Sequence, residues 1–323
     1  MDWKPYYRRE LEEEATQTGL RLALREAERE RTLDAQLERG AILSFPHTAA
    51  RYAGPIQARV VAALYRRRPR LVVALGVLHL SGAPTYRAAV SPEEPAQRRA
   101  QAFAALAGAF VGAETDLGMP FGRVSLAPLR REVPGVLRRD RGGVLKDEFS
   151  LDLFLALVRL QATLVGAEPL PVLPLFVGMT RDPQSGSFDH ARELAAAIVD
   201  LAPSGAVLVT TGDLVHFGRT YDPEDRIQAM PQEPADLASF FRRETEQALD
   251  LALAQGDLTG AFDRSERILH NDQRFVLPVL AEILAPRGTA QILEFELSDY
   301  SSILRVEPPA VVASALVAYG RAA

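Results

Sequence analysis

Two apolar runs do most to limit what this chain can become. LVVALG (71–76) and AVLVTTG (206–212) are too short for ordinary helices and are apolar at successive positions. A strand buried on both faces has that pattern, whereas a strand with one wet face alternates. PVLPLFVG (171–178) reads as a third strand, with its prolines at the ends or at an edge. Helix periodicity fills the intervals. IQARVVAALYRRR carries apolar residues at 56, 60, 61, 64 and 65, behind a Gly54-Pro55 pair expected to open the helix. Residues 149–164 and 189–201 are further amphipathic or apolar helices. Strand–helix–strand order of this kind makes βαβ units.

The remaining segments fit the same scheme. AILSF (41–45) is a short strand ended by Pro46, and 290–297 and 311–320 are strand-like. Helices are expected over 95–112, 235–255, 258–268 and 272–285, the last interrupted by Pro278, and 117–145 is loops with short strands. The expected class is α/β: one domain with a largely parallel or mixed central sheet flanked by helices. That domain is placed at 40–323, behind a charged helical segment at 1–39. Leu11, Leu20, Leu22, Leu24, Leu33 and Leu37 give this segment a patchy apolar stripe. It reads as a surface helix across the domain or as a dimer contact.

Composition removes several function classes. There is no cysteine, so disulfides, thiolate metal sites and a cysteine nucleophile are excluded, and a metal must be held by nitrogen and oxygen donors. The formal net charge of −5 comes with no basic stripe for nucleic acid. No apolar run reaches the roughly 18–20 residues of a membrane helix. The first residues lack the apolar core of a secretion signal, so the cytoplasm is expected. No glycine-rich phosphate loop follows a strand, and no serine lies in a nucleophile elbow.

Against that background the five histidines stand out. His47 follows AILSF, His79 follows LVVALG by three residues, and His216 follows AVLVTTG by four. Ligands of open α/β sheets bind beyond the carboxyl ends of the strands, and βαβ connections bring those ends together. Imidazole ligates iron, copper, nickel and zinc, and it also moves protons near neutral pH. Asp213, three residues before His216, either orients an imidazole or caps the turn after the strand. His190 opens a helix and is expected to be exposed. RILHNDQRF offers His270, Asn271 and Asp272 in a row, as a helix cap or as a further ligand to the same cleft.

These segments resemble the Memo-like family, whose archaeal and bacterial members carry the name AmmeMemoRadiSam system protein B. SFPHTAARYAGPIQA (44–58) is similar to its signature around PHAGYxYSGP, through Pro46, His47, Tyr52, Gly54 and Pro55. VALGVLH (73–79), KDEFSLDLFLALV (146–158), LPLFVG (173–178) and TTGDLVHFGRTY (210–221) resemble its other segments, in the family's order. Departures are present: Ala49 and Ala50 replace a glycine and a tyrosine, Leu80 and Phe149 replace histidines, and the family's cysteine is gone.

The resemblance implies a fold like that of the class III extradiol dioxygenases, in which non-haem Fe(II) and O2 open a catechol ring. It implies a metal cleft with His47 and His79 as ligands and His216 as catalytic base. The third ligand falls in the His270-Asn271-Asp272 segment, with His270 preferred. Asp213 would assist His216, and Arg51 or Tyr52 would contact an anionic or phenolic substrate. The expected cofactor is iron or copper, with zinc as the metal of a hydrolase alternative. A second reading is a non-catalytic module that binds a peptide or small anion in the same cleft. A small-molecule or peptide ligand and a homo-oligomer are the expected partners.

Overall fold

A computed structural model describes residues 3–80 and 82–322 of the chain. Its strands are β1 (Ile42–Phe45), β2 (Leu71–Val77), β3 (Ala109–Val111), β4 (Asp116–Met119), β5 (Gly122–Ser125) and β6 (Leu137–Arg139), followed by β7 (Val172–Val177), β8 (Ala206–Thr211), β9 (His216–Gly218), β10 (Gly288–Asp299) and β11 (Ala310–Arg321). The main sheet runs β10-β11-β1-β8-β2-β7-β3-β6, with β9 added alongside β11, while β4 and β5 form a separate hairpin. The pairs β1/β8, β8/β2 and β2/β7 are parallel, and β10/β11, β11/β1, β9/β11 and β7/β3 are antiparallel. The sheet is therefore mixed, with a parallel centre.

The parallel centre is apolar on both sides because helices cover both. Along β2, Val73, Leu75 and Val77 pack into one core with helices Ala96–Leu106, Asp189–Leu201 and Leu277–Leu284. Val72 and Ala74 point the other way, into a core with helices Glu14–Ala27, Ala50–Arg67 and Asp152–Val165. This two-residue alternation between two dry layers explains why LVVALG lacks any polar position. Each fully buried Val or Leu there contributes about 1.5–3 kcal/mol of apolar transfer.

Several boundaries differ from the sequence expectation. The helix expected to open at Gly54-Pro55 starts at Ala50 and contains Pro55. Its entry is capped by Glu10, whose Oε2 accepts from the Ala50 amide at 2.9 Å. Gly54 serves another need: a Cβ there would lie 2.6 Å from Leu20 Cδ2, so its absence lets helix Glu14–Ala27 close onto helix Ala50–Arg67. The helix expected over 95–112 stops at Leu106, and Ala109–Val111 becomes β3. Pro278 interrupts nothing: it lies in the first turn of helix Leu277–Leu284, where its missing N–H costs little.

The charged segment before β1 is three helices, Trp3–Glu12, Glu14–Ala27 and Thr32–Glu38. Leu11, Leu20, Leu24, Leu33 and Leu37 are buried in the same core as helix Ala50–Arg67, while Leu22 faces out. Arg8 Nε donates to Asp152 Oδ2 at 3.0 Å and Lys4 Nζ to the Lys146 carbonyl at 2.7 Å, tying the first helix down. No helix among the described residues is long and apolar enough to cross a membrane.

Candidate metal centre

Strand register brings the site together. Phe45 pairs with Thr211 across β1/β8, and Leu75 with Thr210 across β8/β2. His47, Asp213 and His79 each lie two residues past the end of their strands, so they emerge side by side at one sheet edge. The His47 amide donates to Asp213 Oδ1 at 3.2 Å. His216 enters from the neighbouring end of β9, where it pairs with Val312 of β11. All four line one cavity of about 1130 Å³, walled on other sides by Trp3, Tyr7, Phe149, Tyr221 and Tyr300.

Two imidazoles and a carboxylate meet at its floor. His47 Nε2 is 3.1 Å from His79 Nε2 and 3.5 Å from Asp272 Oδ2, and His79 Nε2 is 3.9 Å from Asp272 Oδ2. Three atoms with those separations lie on a circle of radius about 2 Å, the length of a metal–nitrogen or metal–oxygen bond. The three donors therefore suit a single cation as they stand.

Ring orientation is set from behind. His79 Nδ1 faces both oxygens of Glu148, at 3.1 and 3.2 Å, which turns Nε2 to the cavity. Glu148 is itself held by the amides of His79, Phe149 and Ser150 at 2.9, 2.8 and 2.7 Å. The Phe149 ring stacks on His79 with centroids 4.4 Å apart. His47 is buried, and its Nδ1 has no hydrogen-bond partner among the described residues. An unpartnered buried nitrogen costs about 1–3 kcal/mol, so this ring is not placed for stability alone.

Electrostatics divide the pair. Burial, then the charge on His79, lowers the His47 pKa to about 3. Burial also opposes charge on His79, but the adjacent Glu148 carboxylate outweighs it and raises that pKa to about 9. Glu148 is lowered to about 2, burial being overcome by His79 and the amide donors. For Asp272 burial works upward, yet His216, His79 and His47 bring it below the usual carboxylate value. Burial and the charge of Asp272 hold Asp213 well above it. Both shifts favour a proton on His79 rather than on His47, and a proton between the two Nε2 atoms would compete with a cation for the same place.

From the RILHNDQRF segment, Asp272 is the residue whose ligand atom groups with those of His47 and His79. His270, the expected ligand, lines the same cavity but falls outside that group. His270 has a left-handed backbone, φ 47°, at the end of its helix, which swings the ring away to Asp222 Oδ1 at 3.0 Å. Arg226 Nη1 reaches the same Asp222 oxygen at 2.9 Å. Asn271 Oδ1 accepts from the Gln273 amide, and the Asp272 amide donates to the Asp213 carbonyl at 3.1 Å. Gln273 is pinned below by Ser44 Oγ at 2.6 Å and Tyr319 Oη at 2.9 Å. Between these anchors Asp272 is delivered to the histidines.

Two further assignments change. Asp213 does not orient the His216 ring by hydrogen bond; the His270 carbonyl does, accepting from Nδ1 at 2.9 Å and leaving the Nε2 lone pair toward Asp272, 3.7 Å away. Arg51 and Tyr52 do not line the cavity. Arg51 is exposed over the Tyr52 ring, and Tyr52 Oη donates to the Asp299 carbonyl at 3.1 Å. They lie on the first turns of helix Ala50–Arg67, which runs away from the cleft. His190 packs edge-on against Phe103, outside the cavity. Glu148 carries one sequence signal, its place just ahead of the apolar helix in KDEFSLDLFLALV.

Fold and cluster together define a single-domain α/β protein with a partly buried His/Asp group that could hold a metal ion. No family model matches the chain, and no curated protein matches it in sequence. Among solved structures, it is similar to an uncharacterized protein from Escherichia coli K12 at 14% identity and a TM-score of 0.42, over 87% of this chain and 100% of that one.

Proposed function

We propose that this chain is a non-haem metal-dependent enzyme of the dioxygenase type, with His47, His79 and Asp272 as its metal ligands. The observation that carries the reading is the His47–His79–Asp272 triangle, with sides of 3.1, 3.5 and 3.9 Å, opening on a large cavity. Two histidines and one carboxylate with open positions are the donor set of non-haem Fe(II) oxygenases, so iron is favoured over copper, and zinc would argue for hydrolysis instead. A redox-active ion in this set would relay electrons from a bound catechol-type substrate, which is the reductant, to O2.

The chain's own residues supply the rest. Glu148 keeps His79 in the ligating orientation and raises its basicity. The His270 carbonyl fixes His216 in the tautomer whose Nε2 accepts a proton, so His216 is the residue to deprotonate a substrate hydroxyl and return the proton later. Phe149, Tyr7, Trp3, Tyr221 and Tyr300 wall the cavity, restrict water and suit a small ring-bearing molecule. Similarity of segments 44–58, 73–79, 146–158 and 210–221 to the Memo-like family supports the same reading, because His47, His79, Glu148, Asp213 and His216 all come from them. A cytoplasmic enzyme fits the absence of cysteine.

Elemental analysis of the purified protein tests this, together with oxygen uptake in the presence of catechols. Close to one iron per chain is expected, lost in His47→Ala and in Asp272→Asn. Protein that cannot be loaded with a redox metal, or that holds zinc and consumes no oxygen, would overturn the proposal.

A further inference from the structure

Asp272 faces two sets of donors, and the second is not used by the ligand triangle. Asp213, His216 and Asp272 also present ligand atoms that all lie within 4.8 Å of one another. His216 Nε2 is 3.7 Å from Asp272 Oδ2, and because Nδ1 donates to the His270 carbonyl at 2.9 Å, Nε2 is the atom left to ligate. Asp213 has one oxygen engaged, Oδ1, by the His47 amide at 3.2 Å. Its other oxygen, Oδ2, is buried in a residue of the cavity wall, has no partner within hydrogen-bond geometry among the described residues, and has the Thr48 hydroxyl and His47 Nε2, 3.8 Å away, as neighbours. Burial beside Asp272 disfavours charge on Asp213, and a cation at Oδ2 would supply the partner this oxygen lacks while releasing its proton.

We infer that the cleft holds a second divalent cation, on Asp213, His216 and Asp272, with Asp272 bridging to the first. The inference rests on His47, His79 and Asp272 holding an ion, and it adds a partner to that ion through the shared carboxylate. Paired divalent sites place their ions about 3.5–4 Å apart across such bridges. The sharing is geometrically direct here, since Asp272 Oδ2 lies 3.5 Å from His47 Nε2 and 3.7 Å from His216 Nε2. The second site is the weaker, because it has to recruit a ligand already engaged by the first. Its occupancy takes His216 Nε2 out of proton transfer, so excess divalent metal silences proton transfer by His216 without displacing the first ion.

Manganese(II) alone is the probe. The full chain, stripped with a chelator, is titrated anaerobically with Mn(II), and bound metal is measured by equilibrium dialysis and electron paramagnetic resonance. The expected result is two Mn(II) per chain, with an exchange-coupled spectrum appearing as the second equivalent binds. Asp213→Asn and His216→Gln, on separate elements, should each stop at one uncoupled ion, and either one decides if the other fails to fold. Asp272→Asn should weaken both ions. One ion per chain at saturation, lost in His79→Ala but indifferent to Asp213→Asn and His216→Gln, overturns the second site and leaves the first. Two ions that survive both substitutions also overturn it, and no binding at all overturns both sites.

Discussion

The Nε2 atoms of His47 and His79 face each other at 3.1 Å, too close for both to present lone pairs comfortably, so a proton between them would serve both. His79 holds it, with a pKa of about 9, while His47 stays neutral above a pKa of about 3. A cation bound there replaces that proton. Raising the pH removes the competitor, so metal affinity should rise roughly tenfold per pH unit up to about pH 9 and then level off. Competition against a chromophoric chelator from pH 6 to 10 measures the slope. A flat profile would show that His79 is not a ligand.

The same proton has a folding consequence in metal-free protein. The folded pKa of His79 lies above its ordinary value of 6.5, so the Glu148–His79 pair stabilises fully below pH 6.5 and loses that contribution as pH rises through about 9. The melting temperature of stripped protein should fall over that interval, and Glu148→Gln should flatten the fall. Glu148→Gln should also weaken metal binding by about 10–100-fold, the usual cost of losing a carboxylate behind a ligating histidine. Unchanged affinity would mean that the backbone alone orients His79.

Asp222 acts on His216 at a distance. Its Oδ2 accepts from the Gly218 amide at 2.9 Å, and its Oδ1 holds both His270 and Arg226. Removing a buried charge partner typically costs about 3–5 kcal/mol, so Asp222→Ala should be destabilised toward that range in urea unfolding. Asp222→Asn, milder in stability, should loosen the His270 carbonyl and mix the His216 tautomers. Nitrogen-15 spectra of the imidazoles read this directly; a single Nδ1–H tautomer in the variant would remove Asp222 from the account.

Gly212 couples the sheet to the third ligand. A Cβ there would fall 2.3 Å from Gln273 Cγ, in a side chain pinned by Ser44 and Tyr319. Gly212→Ala should push Gln273 and displace its neighbour Asp272, lowering metal affinity about tenfold or more with a stability loss of about 1–3 kcal/mol from overpacking. Thr210→Ser, two residues earlier on β8, is the control expected to leave affinity unchanged.

Trp3 is the single tryptophan of the chain and lines the cavity. Its ring stacks on Tyr7 at 5.6 Å, Tyr7 meets Phe149 at 5.0 Å, and Phe149 covers His79. Cu(II), which quenches nearby indoles, should reduce the intrinsic emission stoichiometrically, and His47→Ala should abolish the effect. Tyr7→Ala should cost about 3 kcal/mol, as large-to-small changes of buried aromatics do, and should leave Trp3 insensitive to metal.

Much of the site was legible because chain direction and strand burial are local properties. An apolar run followed at once by a histidine says that the imidazole stands at the carboxyl edge of a buried strand, and this holds for His47 and His79 without coordinates. His216 arrives by a different route, on the short β9 beside β11, yet at the same edge. Asp272 was only one of three neighbours in RILHNDQRF, because which of them turns inward depends on one backbone angle, the positive φ of His270. Glu148 carried no spacing signal, since it approaches His79 from a segment 69 residues away. Arg51 and Tyr52 share a motif with His47, but the helix that begins at Ala50 carries them off.

Sequence alone determined the layering of this protein: which runs are strands dry on both faces, that helices flank them, and which edge collects the histidines. Those follow from periodicity and from the direction of the chain. The tertiary structure alone decided which atoms face one another. It set the 3.1 Å approach of two imidazoles, chose Asp272 over His270, and left Asp213 Oδ2 without a donor. These depend on register between strands distant in sequence and on loop dihedrals set by packing, and neither is written in any single stretch of residues.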